Sequence, residues 1–203
     1  MKSDYFSAEE LADIGFRSVG QGVRLSRHTL CFAPERISIG DCARIDAFCI
    51  LSAGQDGIRI GRYVHIGAYS AILGGALVEL GDFAGLSARC TIFSSSEDFS
   101  GAAIAIPTVP DDCRGVVTAP VILAPHALLG AGCVVLPGVT IGESACAGAA
   151  SLVTRSVAAF DRVAGTPARV IGRRLAGHRE LAAGILAAAE RLREDGAKET
   201  PDP

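Results

Sequence analysis

Few residues of this chain have a type and spacing suited to acid–base chemistry. Of its four histidines, His65 directly precedes Ile66. Nineteen residues earlier, Asp46 directly follows Ile45. If both isoleucines point into the core, His65 and Asp46 point outward, and on stacked strands about 4.8 Å apart the carboxylate can reach the ring. An imidazole oriented by a carboxylate is the arrangement of a general base. A surface histidine without a role is the alternative.

A second group of candidates lies in a segment that keeps no period. Residues 93–117 are rich in Ser, Asp, Gly and Pro, and they carry Glu97 and Asp98. A loop of this length inside a regular fold is more often functional than accidental. A carboxylate is a weak base unless burial raises its pKa, so His65 is favoured over Glu97 as the base. Binding of a substrate amine, or simple solvation, are the other interpretations of the acidic pair.

The element that must position these residues is a six-residue repeat. Gly130, Gly142 and Gly148 follow three of its aliphatic positions. A period of six fits neither a helix nor a simple strand, and it predicts short parallel strands stacked as a triangular prism, with about 18 residues per coil. The aliphatic positions point inward, and they are Leu123, Leu129, Val135, Ile141, Ala147 and Val153.

The same phase can be followed back to Leu25 and predicts an all-β, single-domain fold. The capping box Ser7–Glu10 opens a short helix that covers the prism within residues 1–22, and the prism spans 23–159 with the loop at 93–117. Residues 160–203 form a return segment and an amphipathic helix over 179–194, with Leu181, Ile185 and Leu192 on one face.

Composition excludes several classes of protein. A net charge of −3 argues against binding to nucleic acid or to an anionic membrane surface, and no apolar run approaches the length of a membrane span. The chain starts without a signal-like segment, and its seven cysteines show no metal-ligand or CxxC spacing, so free thiols and a cytoplasmic location are expected. No metal is expected.

The chain resembles the hexapeptide-repeat acyltransferases, especially the galactoside- and xenobiotic-type sugar acetyltransferases. The residues that carry the likeness are the hexads, the single long loop and the closing phrase VAGTPARVI. RIDAFCILSAG, GRYVHIGAY and DFSG…PTVP resemble the acyltransferases of nucleotide-linked 4-amino-4,6-dideoxy sugars more closely. The resemblance implies a left-handed parallel β-helix, a homotrimer with sites between subunits, acetyl-CoA as donor, and a sugar or nucleotide-sugar acceptor that is acetylated on oxygen or nitrogen.

The resemblance also implies a donor site on the last coils. There Gly130, Ala131 and Ala149 leave backbone groups open to the pantetheine amides. Thr154 and Arg155 match positions that meet the nucleotide end. Arg169 and Arg173 are candidates for phosphate binding, because a guanidinium fork suits phosphate oxygens. The alternative is that these arginines only solvate the end of the prism.

For the acceptor, Tyr69 matches a substrate-contacting position of the galactoside-type enzymes, and Arg89 lies one coil further on; with Asp98 they are the expected sugar contacts. One departure from that pattern matters. The galactoside-type enzymes carry their catalytic histidine in the loop, where this chain has Glu97 and Asp98 instead, so either His65 has taken the role or a loop carboxylate has.

Two other functions compete with acetyl transfer. A zinc enzyme of the carbonic anhydrase type on the same prism needs three converging imidazoles, and only His65 and His126 are well placed. A non-catalytic trimeric prism that serves in binding or assembly is the alternative that the missing loop histidine favours.

Overall fold

The chain winds into a three-sided prism of parallel strands. The computed structural model describes residues 4–198, and the side chains of residues 4–191. It is a left-handed parallel β-helix of about seven coils, which confirms the stacked prism predicted from the six-residue period and the handedness implied by the resemblance. Each coil contributes one strand to each of three flat sheets, here called faces 1, 2 and 3.

Face 1 comprises β1 (Ser18–Val19), β4 (Ile37–Ile39), β7 (Ile58–Ile60), β10 (Val78–Leu80), β15 (Val121–Leu123) and β18 (Thr140–Ile141). Face 2 comprises β2 (Arg24–Leu25), β5 (Arg44–Ile45), β8 (His65–Ile66), β11 (Gly85–Leu86), β16 (Leu128–Leu129), β19 (Cys146–Ala147), β21 (Asp161–Gly165) and the antiparallel β22 (Ala168–Arg173). Face 3 comprises β3 (Leu30–Phe32), β6 (Ile50–Ser52), β9 (Ala71–Leu73), β12 (Thr91–Phe93), β17 (Val134–Val135) and β20 (Leu152–Val153).

The repeated aliphatic positions form the core, and the three-residue strands of face 1 from β4 to β15 bury both of their end residues. Ile45, Ile66 and Leu86 on successive strands of face 2 are 0–1 % exposed, and burying each such side chain contributes about 1.5–3 kcal/mol. Smaller residues occupy the inward position at the bend. Cys90 and Cys133 are fully buried there, and their thiols lie 3.2 and 3.0 Å from carbonyl oxygens of the next coil, which helps hold the turn after face 2.

The two ends of the prism differ. Helix α1 (Ala8–Asp13) opens with the predicted capping box, in which Ser7 and Glu10 exchange hydrogen bonds, and its Leu11 is buried in the core. The first prism strand, β1, lies inside the range 1–22 that the sequence assigned to the cap, because Ser18 and Val19 already pair with β4.

Helix α2 (His178–Lys198) packs on the prism through a side other than the apolar face identified in the sequence. Leu181 and Ile185 are 73 % and 45 % exposed, whereas Ala182 is buried. Leu186, one turn after Ala182, is half-buried and lies on the same side of the helix. The side chain of Leu192 lies outside the described residues.

The long insertion leaves the stacking undisturbed. Strand β10 pairs directly with β15 in register, although residues 81–120 separate them in the chain. Part of the loop folds as an antiparallel hairpin of β13 (Ser95–Glu97) and β14 (Val116–Thr118), with a 3₁₀ turn at Asp111–Cys113 between them. A second 3₁₀ turn at Pro34–Arg36 enlarges an N-terminal corner. No helix within residues 4–198 is long and apolar enough to cross a membrane.

Candidate active site

The chemistry-bearing side chains lie on the outside of face 2. Strand register places one outward residue of each strand in a single line, because its neighbour in the strand points to the core. We call this line the outer row. From the N-terminal to the C-terminal end of the prism it comprises Arg24, Arg44, His65, Gly85, Leu128, Cys146 and Arg162.

A groove of about 750 Å³ runs along the outer row, from Asp46 and His65 at one end to Cys146 at the other. Three strand spacings separate β8 from β19, which gives a length of about 14 Å. The groove exists because Gly85 has no side chain beneath His65. A Cβ built at Gly85 would lie 3.0 Å from the tip of Leu128 and would point into the open space.

The predicted contact between Asp46 and His65 is confirmed. Asp46 Oδ2 lies 2.8 Å from His65 Nε2, and Asp46 Oδ1 accepts a hydrogen bond from Arg44 Nε at 2.7 Å. Burial alone would raise the pKa of Asp46, but the hydrogen bonds from His65 and Arg44 outweigh it and lower that pKa. Asp46 is therefore a carboxylate near neutral pH, with both oxygens occupied.

The carboxylate fixes which nitrogen of the histidine can act as a base. An ionised Asp46 only accepts, so His65 Nε2 must carry the proton in the bond between them. The other nitrogen, Nδ1, then has a free lone pair. Half of the His65 side chain is exposed at the mouth of the groove, where a substrate can reach it. This arrangement can remove a proton from a bound nucleophile.

Aromatic rings form one wall of the groove. Tyr63 and Phe83 lie at a prism corner with φ angles of 58° and 61°, and their rings stack at 4.9 Å with an interplanar angle of 3°. His126 continues the stack on Phe83 at 5.1 Å, outside the groove. Its position explains why a corner histidine is half-buried: the ring packs on the column of aromatic rings.

The opposite side of the groove offers backbone donors. Within the described residues, no hydrogen bond is formed by the amide N–H groups of Ala68, Ala88 and Ala131, which follow one another on successive coils at the turn after face 2. Ala68 and Ala88 line the groove. Backbone N–H groups in such a position can hold a thioester oxygen or the carbonyls of a pantetheine arm.

The predicted donor residues separate into those at the groove and those beyond its end. Gly130 lies on the groove floor, and only glycine fits there, because a Cβ would come within 2.5 Å of the Ala149 nitrogen on the next coil. Ala131 and Ala149 are exposed at the adjoining turns. Thr154 and Arg155 are exposed after β20, and they do not line the groove.

The two arginines of the return segment, both on β22, already have contacts. Arg173 forms an ion pair with Asp161 at 3.0 Å. Arg169 donates a hydrogen bond from Nη1 to the carbonyl of Ala168 at 2.9 Å and is exposed. Arg169 is therefore the more accessible of the two to a phosphate.

The predicted acceptor residues lie at the other edge of face 2, at the corner shared with face 3. Tyr69 is 58 % exposed and stacks on Phe48 at 5.0 Å, and Arg89 lies 6.0 Å from the Tyr69 ring. Neither lines the groove of this chain. They form a second exposed column at a corner next to the site.

The loop carboxylates are held by contacts within the loop. Glu97 Oε1 accepts a hydrogen bond from Arg114 Nη2 at 2.6 Å, and its other oxygen is buried without a partner in the described part of the chain. Asp98 accepts two hydrogen bonds from Ser100, both at 2.8 Å, and these lower its pKa. The structure therefore does not bring Glu97 or Asp98 to His65 within one chain.

Sequence reasoning missed several residues of the groove. Tyr63, Phe83, Ser87 and Leu128 all line it. Ser87 lies one coil beyond Gly67, at the position after a strand of face 2 that Asp46 also occupies. Comparing the same position on successive coils, rather than following the six-residue phase along the chain, would have found it.

Fold and site together define a hexapeptide-repeat acyltransferase: a left-handed β-helix whose outer groove ends at an imidazole held by a carboxylate. No protein-family model matches the chain. It is 39 % identical over 170 residues to the dTDP-4-amino-4,6-dideoxy-D-glucose acyltransferase of Escherichia coli, and the match covers 84 % of this chain and 88 % of that protein. The chain belongs to this family of amino-sugar acyltransferases, and it is an enzyme of the acyltransferase class.

Solved structures agree with this assignment. AntD, an N-acyltransferase from Bacillus cereus solved with dTDP and 3-hydroxybutyryl-CoA, superposes with a TM-score of 0.88 at 39 % identity, over 93 % of this chain and 100 % of that one. A variant of AntD with the same TM-score and identity was solved with dTDP-4-amino-4,6-dideoxyglucose and coenzyme A.

Proposed function

We propose that the enzyme transfers an acyl group from a coenzyme A thioester to the C4 amino group of a dTDP-linked 4-amino-4,6-dideoxy sugar. The observation that carries this proposal is the groove on face 2, which ends at His65, whose Nε2 lies 2.8 Å from Asp46 Oδ2. The ligands of the related enzymes support the choice of nitrogen as nucleophile and of dTDP as carrier.

In the proposed complex the pantetheine arm lies along the groove, and its thioester reaches the end beside His65. The small residues Gly85 and Gly130 leave room for the arm. The backbone N–H group of Ala131, at the turn beside the groove, can bind one of its carbonyls. The exposed guanidinium groups of Arg155 and Arg169, near the last coils, are the candidates for the nucleotide phosphates of coenzyme A.

The reaction then needs one base and one oxyanion site. The neutral amine attacks the thioester carbonyl, the C–N bond forms, and His65 Nδ1 takes the proton that the amine loses. The N–H groups of Ala68 and Ala88 stabilise the negative oxygen of the tetrahedral intermediate. Collapse of this intermediate breaks the C–S bond, and the imidazolium returns the proton to the leaving thiolate. No covalent enzyme intermediate is required.

The proposed range of acyl groups is wider than the acetyl group alone that the sequence led us to expect. The related enzyme AntD was solved with 3-hydroxybutyryl-CoA, which supports donors larger than acetyl-CoA. Acetyl and short hydroxyacyl chains are both proposed donors.

The proposal includes a homotrimer assembled through face 3. Its outward positions are apolar apart from Thr91, whereas face 1 carries Ser38, Arg59 and Glu79 at equivalent positions. Leu30 is 57 % exposed in the single chain, and a largely apolar surface of this kind is typical of an interface. The outward residues of this row are Leu30, Ile50, Ala71, Thr91, Val134 and Leu152.

In such a trimer the corner next to face 3 lies against a neighbouring subunit. Tyr69 and Arg89 are therefore proposed to contact the acceptor together with the neighbour's loop, which carries Glu97 and Asp98. A cytoplasmic location is also part of the proposal, and the seven free cysteines are consistent with it.

The test is a thiol-release assay with a matched pair of acceptors. Acetyl-CoA and 3-hydroxybutyryl-CoA are each offered with dTDP-4-amino-4,6-dideoxyglucose and with its analogue that carries a hydroxyl group at C4. We expect rapid release of coenzyme A with the amino sugar alone, and a product heavier by one acyl group. Turnover of the hydroxyl analogue at the same rate, or of neither acceptor, would contradict the proposal.

A further inference from the structure

On the N-terminal side of His65 the outer row consists of two arginines. Arg44 pairs in register with His65, and Arg24 pairs with Arg44, one coil further away. One coil is about 4.8 Å, so the two backbone positions lie about 5 and 10 Å from that of His65 along the row. Both side chains are exposed on the same face as the groove.

Tyr5 interacts with both guanidinium groups, through ring stacking with Arg24 and a side-chain hydrogen bond with Arg44. Tyr5 forms an antiparallel bridge with Ser26, and the guanidinium of Arg24 stacks on the Tyr5 ring at 4.5 Å. Stacking orders the group and leaves the N–H donors at its edge pointing sideways. Arg44 turns its Nε edge to Asp46. Among the side chains of residues 4–191 no carboxylate forms an ion pair with Arg24.

The direction of the groove leaves this side for the acceptor. The groove runs from His65 towards Leu128 and Cys146, at the C-terminal end, and a thioester arm that occupies it blocks that approach. A nucleotide-linked 4-amino sugar carries its diphosphate on C1, across the ring from the amine. Covalent bond lengths place the amine nitrogen about 6–7 Å from the nearer phosphorus. With the amine beside His65, that phosphorus falls between the backbone positions of Arg44 and Arg24.

We propose that Arg24 and Arg44, ordered by Tyr5, form the binding site for the diphosphate of the acceptor nucleotide. This inference rests on the proposed function, because it takes the amine to lie beside His65. A guanidinium fork binds two phosphate oxygens at once, so two arginines one coil apart match two linked phosphates. The outer row then has three parts: a diphosphate site, the imidazole, and the floor of the donor groove.

Arg24 is the residue to change, because Arg44 also holds Asp46. We expect Arg24→Ala to weaken the binding of dTDP, measured by calorimetry, by about tenfold to a hundredfold, since bonds to a charged group are lost. The KM for the dTDP-linked amino sugar should rise by a similar factor. The KM for acyl-CoA and kcat should stay within about twofold of wild type, because the change removes binding made equally in the ground and transition states. Arg24→Lys should give an intermediate loss.

The matched control is Arg59→Ala, which removes another exposed arginine, on face 1, where it pairs with Glu79 at 3.5 Å. It should change neither dTDP binding nor either KM. Unchanged dTDP affinity and acceptor KM in Arg24→Ala would overturn the inference. If Arg24→Ala melts at a lower temperature, Arg24→Gln is measured in the same way and decides the outcome.

Failure of the inference can be told apart from failure of the proposed function. If the wild-type enzyme binds dTDP and Arg24→Ala does not, but the wild type releases no coenzyme A with the amino sugar, the diphosphate site stands and the reaction is refuted. An active wild-type enzyme whose Arg24 variants behave like the control keeps the reaction and refutes the site.

Discussion

The hydrogen bond between Asp46 and His65 allows a quantitative test of the proposed chemistry. Asp46→Asn keeps the shape of the side chain but removes its charge. A hydrogen bond to a charged group contributes about 1.5–3 kcal/mol. We take the lower end of this range, about 1.5 kcal/mol, because solvent reaches half of the His65 side chain and screens the pair. The expected loss is then about tenfold in kcat.

The same assay with a double variant tests whether Asp46 acts through His65. Thiol release is measured with both substrates saturating. His65→Ala removes the base and should lower kcat by about a hundredfold to ten-thousandfold. Once the ring is gone, the carboxylate has nothing to orient, so Asp46→Asn added to His65→Ala should cost nothing further. Multiplicative losses would refute the positioning role, and a His65→Ala enzyme with wild-type kcat would refute the base itself.

The control for this pair is a carboxylate with similar contacts outside the groove. Asp82 forms an ion pair with Arg62 at 2.7 Å, at the corner between faces 1 and 2. Asp82→Asn should lower the melting temperature by an amount comparable to Asp46→Asn and leave kcat unchanged. An equal loss of kcat in both variants would mean that general destabilisation explains the effect of Asp46→Asn.

Three further predictions follow from the structure. Gly85→Ala should fold normally but lose activity, because the added Cβ points into the groove. Gly130→Ala should lower the melting temperature, because its Cβ would lie 2.5 Å from a backbone nitrogen. Equal melting temperatures in the two variants would contradict this prediction. The hydrogen bond from Arg27 lowers the pKa of Glu10 to about 2. The stabilisation by the Glu10 carboxylate is therefore full above its unfolded-state pKa of 4.5 and is lost as the pH falls towards 2. Glu10→Gln should flatten the plot of melting temperature against pH in that range. Burial lowers the pKa of His126 below 6.5, so the contribution of its neutral ring to folding stability is full above pH 6.5 and falls on acidification. His126→Phe should therefore lose less melting temperature between pH 7 and pH 5 than the wild type. An unchanged slope of melting temperature against pH would refute the assignment.

The inward half of the fold could be predicted from the sequence because its signal is local. Ile66, Leu86 and Leu129 recur at the same phase as their neighbours six residues away, and every one is buried. The contact between Asp46 and His65 followed from the same phase, since both stand next to an inward isoleucine. The catalytic role of that pair stays a proposal.

Contacts within the loop and at the ends could not be predicted in the same way. The partner of Glu97 is Arg114, across a hairpin that six-residue phase cannot detect. The apolar face predicted for α2 includes Leu181 and Ile185, which are exposed, whereas the helix packs on the prism through Ala182 and the half-buried Leu186. Neither contact repeats along the chain, so neither leaves a period to follow.

The outward half of the prism obeys a different spacing, and this explains where the functional residues were missed. Neighbours in the outer row are separated by a whole coil, which is 20 or 21 residues from Arg24 to Gly85 and 43 residues from Gly85 to Leu128 across the long loop. The extra residues of each coil and of the loop are placed at corners, so they change these separations without changing the register.

Inward positions are all aliphatic or small, because every coil must stack on the next, whereas the outward positions of the three faces are free to differ. Face 1 is polar at Arg59 and Glu79, face 3 is apolar at Leu30, and face 2 changes along its length from Arg24 to His65 to an apolar floor. A sequence comparison made coil by coil therefore carries more information on this enzyme's substrates than one made hexad by hexad. Exchanging outer-row residues should alter acceptor and donor choice while the melting temperature stays close to that of the wild type.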